Sequence, residues 1–190
     1  MNIQTPVPTL YGNWREKFAP QWTAALEALR QQCGESLEET LLPESHSVDI
    51  PTIFLKTAGA HGALAFLRDT LGYSFLTDYT ASDEGSDEVS GKRFHLILHL
   101  MNTQTKARLR FKIRIAENEA FPTLIPLWVG ANWAEREIYD MFGIRFEGHP
   151  DLRRILMDVR WEGHPLRKDY PLRGYQLFLT PEPLDPELFK

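Results

Sequence analysis

The sequence predicts an α+β fold: a two-layer domain with helices on one face of a mixed sheet, then a short helix and an extended C-terminal arm. Three observations predict it. Two stretches carry apolar residues at helical spacing among short strand-like runs. Two adjacent runs alternate apolar and polar residues and are joined by a polar turn. After Asn132 the texture changes to dense, balanced charge broken by Gly-His-Pro triplets.

The elements follow in order. Trp22, Ala25, Leu26, Leu29 and Cys33 share one face of a first helix, with Pro20 near its start and Gly34 at its stop. Leu37 to Leu42 and His46 to Ile50 read as two paired strands separated by Pro43-Glu44-Ser45. Ala60, Ala63, Leu64, Leu67 and Leu71 mark a second helix closed by Gly72. Tyr73 to Ala81 is a strand, and the acidic Asp83 to Glu88 is a solvated loop.

The hairpin is the sharpest local signal. Phe94, Leu96, Leu98 and Leu100 line one face of its first strand, and Ala107, Leu109, Phe111, Ile113 and Ile115 line one face of its second. A four-residue loop, Asn102 to Thr105, sets His99 opposite Arg108 and His95 opposite Lys112, where like charge disfavours imidazolium. The outer face carries Lys106, Arg108, Arg110, Lys112 and Arg114. A basic sheet face invites an RNA reading, but its predicted aromatics Phe94 and Phe111 point to the other side, away from any base. An ordinary solvated face with ion pairs, or a docking surface for an acidic neighbour, fits better.

Composition bounds the function. The chain has 190 residues, 43% hydrophobic, enough for one core, and its net charge of -5 disfavours a general phosphate binder. Cys33 is the single cysteine, too few thiolates for an iron–sulfur cluster or a cysteine zinc site. No basic residue followed by an apolar run opens the chain, so a secretory signal is not expected and a cytoplasmic location is. The longest uncharged stretch, Ala120 to Ala134, is interrupted by Pro122 and Pro126 and is too short to span a bilayer. The expected organisation is an N-terminal extension over 1–19, an α+β domain over 20–130, and a signature helix with a partner-binding arm over 131–190.

The last third holds the chemistry worth weighing. Asn132 and Glu135 have capping-box spacing, and Ala134, Ile138 and Met141 stripe a short helix ended by Gly143. Glu135 to Arg173 contains eight acidic and eight basic residues, a balance that does not suit phosphate binding. Glu137 and Asp140 share a helix face, but Arg136 and Asp140 are also spaced for an i,i+4 ion pair. His149 and His164, with Asp151 or Asp169, lack the spacing of a zinc site. A stand-alone metal hydrolase and an RNA-binding module are the rival readings from other classes. An irregular arm with aromatics, Met and Arg has instead the composition of a protein interface. Tyr139, Met141, Phe142, Ile144, Phe146, Leu152, Ile155, Leu156, Trp161 and Tyr170 are its expected anchors.

The run from Glu135-Arg136-Glu137-Ile138-Tyr139-Asp140-Met141-Phe142-Gly143 through Gly148-His149-Pro150-Asp151-Leu152-Arg153-Arg154 closely resembles the signature of the 30 kDa subunit family, the C subunits, of respiratory complex I. Its continuation, Trp161-Glu162-Gly163-His164-Pro165-Leu166-Arg167-Lys168-Asp169-Tyr170-Pro171, resembles the second half of that signature. The resemblance implies a subunit of the hydrophilic arm of a proton-translocating NADH:quinone oxidoreductase, peripheral on the cytoplasmic side of the inner membrane and packed against the D and B subunits. It implies no catalytic, cofactor-binding or metal-binding residue on this chain, with FMN, iron–sulfur clusters and quinone held by other subunits. A sibling subunit of a membrane-bound hydrogenase or related dehydrogenase is the nearest alternative. The expected partner interface comprises Glu135, Arg136, Glu137, Tyr139, Asp140, His149, Arg153, Arg154, Trp161, His164, Arg167, Lys168, Asp169 and Tyr170. In this reading the arm cannot fold on itself and pairs Arg153, Arg154, Arg167 and Lys168 with a neighbour's acids.

Overall fold

The computed structural model describes residues 14–43, 48–85 and 91–175. The order is α1 (Trp14–Cys33), a 3-10 turn (Gly34–Ser36), β1 (Leu37–Leu41), β2 (Thr52–Leu55), α2 (Thr57–Asp69), β3 (Phe75–Asp83), β4 (Lys92–Met101), β5 (Arg108–Ala116), β6 (Phe121–Pro122), α3 (Ala131–Phe142) and β7 (Phe146–Glu147). Five strands form a sheet ordered β1-β2-β5-β4-β3, mixed because β2 runs parallel to β5 while the other pairs are antiparallel. The α+β class stands, with a second, two-stranded sheet of β6 and β7 that sequence reading missed.

Helix α1 begins ahead of the expected start and runs through Pro20, which is exposed, so water can take the carbonyl its ring leaves without a partner. The second strand is not at His46 to Ile50. His46 and Ser47 lie outside the described residues, Asp49 and Ile50 form a bend, and the strand is the Thr-Ile-Phe-Leu run that follows Pro51. All four of its residues are buried, so it shows no alternation for a periodicity search to find. The third strand starts and ends slightly later than expected, at Phe75 and Asp83. Asp83 is therefore no solvated loop residue, but a buried strand end.

The hairpin pairs His99 with Arg110 and His95 with Arg114, two residues beyond the expected register. Asn102 is the reason. Its backbone extends the ladder to Ala107, and its Oδ1 accepts the Gln104 and Thr105 N–H groups at 2.9 and 3.1 Å, moving the loop to Thr103–Lys106. A shift of two keeps every side chain on its face. Both imidazoles are lowered as expected, but burial is the leading cause, with Arg110 second at His99.

One face of the sheet carries the core, where Phe94, Leu96, Leu98, Leu100, Leu109, Phe111, Ile113 and Ile115 are fully buried against Leu29, Leu64 and Leu67 of the helices. Ile138, Met141, Phe142, Ile144 and Phe146 join the same core, so α3 packs as an integral part of the domain. Phe142 meets Phe94 edge-on at 6.3 Å, and Phe146 meets Tyr79 at 6.1 Å. On the opposite face Arg110 pairs with Asp49, and Arg114 with Glu38 and Glu39. Phe54 lies on that face too, but buried beneath Arg114 and Lys112, so it offers no ring to a base. The face is an ion-paired strand surface.

Asn102 also donates from Nδ2 to the Leu71 carbonyl at 2.9 Å, tying the hairpin loop to the end of α2. Asn102→Ala should lower unfolding free energy by roughly 1–3 kcal/mol, read as a shift of the urea midpoint with unchanged slope.

Candidate partner interface

Helix α3 begins at Ala131 with Gly130 as its N-cap and no side-chain cap bond, so the expected Asn132–Glu135 capping box does not form. Glu135 faces inward instead and is fully buried. Its carboxyl accepts the Thr123 hydroxyl at 2.6 Å and the Leu124 N–H at 2.7 Å, fastening the segment after β6 to the helix. Burial raises its pKa to about 7, and the two hydrogen bonds offset only part of that rise. At the other end Gly143 takes φ 80° and its N–H bonds the Tyr139 carbonyl at 2.8 Å, the expected left-handed stop. A Cβ at 143 would stand 2.7 Å from the His164 ring, so the helix end is also shaped by the arm packed on it.

Arg136 and Asp140 do not form the i,i+4 pair. Spaced one turn apart, they grip the arm from one helix face. Arg136 donates to the Arg153 and Arg154 carbonyls, both at 3.2 Å. Asp140 Oδ2 accepts three consecutive backbone N–H groups, Ile155 at 3.0 Å, Leu156 at 2.8 Å and Met157 at 2.9 Å. Its Oδ1 accepts Arg154 Nη1 at 2.6 Å. Burial pushes the Asp140 carboxyl upward; the three N–H bonds and the Arg154 guanidinium outweigh it and hold the group below its ordinary range. Arg154 Nη2 reaches on to the Gly163 carbonyl at 2.8 Å, and His164 Nδ1 donates to the Asp140 carbonyl at 3.0 Å. The Leu166 N–H bonds the Met141 carbonyl at 3.1 Å.

A second anchorage lies at the sheet's end. Arg93 bonds Asp83, Asp169 and Glu117; Arg167 bonds Glu117 at 2.6 Å; and the Lys168 N–H bonds Asp83 at 2.8 Å. Burial raises the Asp83 pKa, but Arg93 and the Lys168 and Gly85 N–H groups bring it down to about 2. Arg93 and Arg167 both stack on Phe94, at 5.1 and 5.3 Å. The expectation that the arm cannot fold on itself is thus corrected: Arg154 and Arg167 find their acids within the chain. Met141, Phe142, Ile144 and Phe146, read as candidate anchors for a partner, are spent in the core. Trp161 stacks with Tyr170 at 6.4 Å, and Tyr139 meets His164 edge-on at 5.9 Å.

His149 Nε2 donates to the Asn132 carbonyl at 3.2 Å while Nδ1 accepts the Asp151 N–H at 3.0 Å, so both nitrogens have fixed structural roles. Among the described residues no three His, Cys, Asp or Glu side chains converge to hold a metal. Arg153, paired at the surface with Asp151, and Lys168 are exposed, as is Glu137. Beyond the fourteen expected residues lies an outward row, in which Leu156, already an expected anchor, is joined by Val159, Leu166, Leu172 and Tyr175; they are 61%, 69%, 56%, 105% and 68% exposed. No helix of the described residues is long and apolar enough to cross a membrane.

Residues 53–176 match the family model described as respiratory-chain NADH dehydrogenase, 30 Kd subunit. The chain belongs to this family. The match takes in both grips on the arm and its outward row. Over 149 residues, 77% of this chain and 70% of the relative, it is 42% identical to the C subunit of NADH-quinone oxidoreductase from Brucella ovis. It is 41% identical to that of Brucella abortus over the same shares. Among solved structures, a trypsin-resistant fragment of Nqo5 superposes with TM-score 0.58 at 26% identity, covering 70% of this chain and 99% of the fragment. A chain of an archaeal respiratory membrane complex, the membrane-bound sulfane sulfur reductase, superposes with TM-score 0.60 at 18% identity, covering 79% and 85%. That second likeness is one of fold.

Two outcomes follow for this 30 kDa-family chain. Asp140→Asn should cost about 3 kcal/mol or more by leaving Arg154 without its buried partner. The change lowers Tm by roughly 2–4 °C per kcal/mol and opens the bonds after Arg153 and Arg154 to trypsin. Glu135 works on pH: its folded pKa near 7 lies above the ordinary 4.5, so its contribution is complete below that lower value and fades as pH rises through 7. Glu135→Gln should flatten the fall in Tm between pH 5 and 8, a change visible in thermal melts across that range.

Proposed function

We propose that this chain is a non-catalytic structural subunit of the peripheral arm of a proton-translocating NADH:quinone oxidoreductase. Electrons in that assembly pass from NADH through FMN and iron–sulfur clusters on other subunits to quinone. The chain's part is to hold the neighbouring D and B subunits, which form the quinone site, in register on the cytoplasmic side of the membrane. Family membership and the activity for which its bacterial relatives are named support this reading.

The observation that carries it is the two-sided arm. Its inner side is fixed by Asp140, Arg136, Arg93 and Glu117, so the ordering entropy is met before any partner arrives. Its outer side presents Leu156, Val159, Leu166, Leu172 and Tyr175 to solvent, five large apolar side chains left exposed within 20 residues of chain. Of the expected interface residues, Arg153, Lys168 and Glu137 stand at the surface and supply charge at its rim, whereas Glu135, Asp140, Arg154 and His164 act by shaping the arm.

A Leu156→Asp, Leu166→Asp double variant tests this. Both side chains are exposed, so the isolated chain should melt within about 0.5 kcal/mol of the parent. In membranes the variant should be lost from the assembled complex, and NADH:quinone activity should fall with it. A fully assembled complex with normal turnover would overturn the reading, and mass spectrometry of the co-purified subunits separates this complex from a hydrogenase-type sibling.

A further inference from the structure

A second unpartnered surface lies away from the arm's outward row. β3 is the terminal strand of the five-stranded sheet, and no described strand pairs with its outer edge. Between that edge and the start of α3 runs a cleft of about 490 Å³, with the six residues from Ser74 to Tyr79 as one wall and Val129, Trp133 and Glu137 on the other. The walls are fixed, because Trp128 Nε1 donates to the Ser74 carbonyl at 2.9 Å.

Three large apolar side chains stand open here: Phe75 at 50%, Val129 at 81% and Trp133 at 64% exposure. The Phe75-Leu76-Thr77-Asp78-Tyr79 run contains neither of the lysine or proline blocks common at free edges; its irregularities are a register shift between Leu76 and Asp78 and the Asp78 charge itself. The rim is acidic. Among the described residues Asp78 has only the His99 imidazole beside it, at 3.6 Å and held toward its neutral form by burial and Arg110, and Glu137 makes no hydrogen bond or ion pair. Arg136, next to Glu137 in sequence, is committed to the Arg153 and Arg154 carbonyls and to the Trp133 ring at 5.4 Å. Arg136 thereby ties the Trp133 side of the cleft to the arm backbone.

We propose that this cleft receives an extended segment of a neighbouring polypeptide, laid along β3 as an added strand, with apolar side chains beside Phe75, Val129 and Trp133 and a Lys or Arg between Asp78 and Glu137. The unpaired strand edge supplies backbone hydrogen bonds, the apolar wall supplies burial, and the two carboxylates select a cation. The site rests on the assembly proposed above only in needing a neighbouring chain; it does not use the arm.

The test places the photo-crosslinker p-benzoylphenylalanine at Val129, and separately at Leu156 on the arm, in the complex in its native membranes. Adducts are mapped by mass spectrometry. The expected result at Val129 is one segment of a different polypeptide with a Lys or Arg within a few residues of the adduct, its yield falling roughly tenfold in an Asp78→Lys, Glu137→Lys background. Adducts to lipid, to a second copy of this chain, or to a segment without a cation overturn the proposal. So does an unreacted Val129 probe when the Leu156 probe captures a neighbouring polypeptide. Silence at both positions overturns the assembly reading as well.

Discussion

The C-terminal third depends on one buried carboxylate. Asp140 has no exposure, and an isolated charge there would be costly. It is stable because three consecutive N–H groups and one guanidinium converge on it, and they converge because the chain from Ile155 to Met157 wraps the helix end. Cause and effect close on each other: the arm satisfies the charge, and the charge orders the arm. Arg136, one turn earlier, takes the carbonyls just upstream, so donors and acceptors of the same stretch are bound from one helix face.

This arrangement changes what balanced charge means in such a segment. Eight acids and eight bases between Glu135 and Arg173 look like a ribbon awaiting outside partners. Much of that charge instead closes locally, through Asp140–Arg154, Asp158–Arg160, Asp151–Arg153 and, across to the sheet, Glu117–Arg167 and Asp169–Arg93. The pairs are unequal. Asp151–Arg153 is half exposed and contributes little, while Asp140–Arg154 is enclosed and its disruption matters. What the arm leaves facing outward is a mixture, large apolar groups such as Leu156, Val159 and Leu166 among exposed charges such as Arg153 and Lys168.

Sequence periodicity made the hairpin, both large helices and the Gly143 stop legible, because alternation and helical spacing report directly on a buried face. It failed at Thr52–Leu55, where burial on both faces erases alternation, and at the two-residue strands β6 and β7, which are too short to carry a pattern. At the site, residue identities were legible and their directions were not. Glu135 has the spacing of a cap yet turns into the core, and Arg136 and Asp140 have the spacing of a pair yet each binds backbone. Helical spacing fixes which side chains are near one another; it does not say that a third segment will come between them.

The lock on the arm has a further property, since Asp140 binds the N–H groups of Ile155, Leu156 and Met157 and Arg136 binds the carbonyls of Arg153 and Arg154. None of these bonds involves the side chains at 155, 156 or 157; Met157 is held by its packing against the core, while at the exposed Leu156 any residue with an N–H satisfies the clasp and only proline is barred. The surface next to the clasp can therefore drift in size, polarity and shape without loosening what holds it. A lineage that acquired a new neighbour could retailor the fit by point changes alone, keeping the fastening and exchanging only the garment.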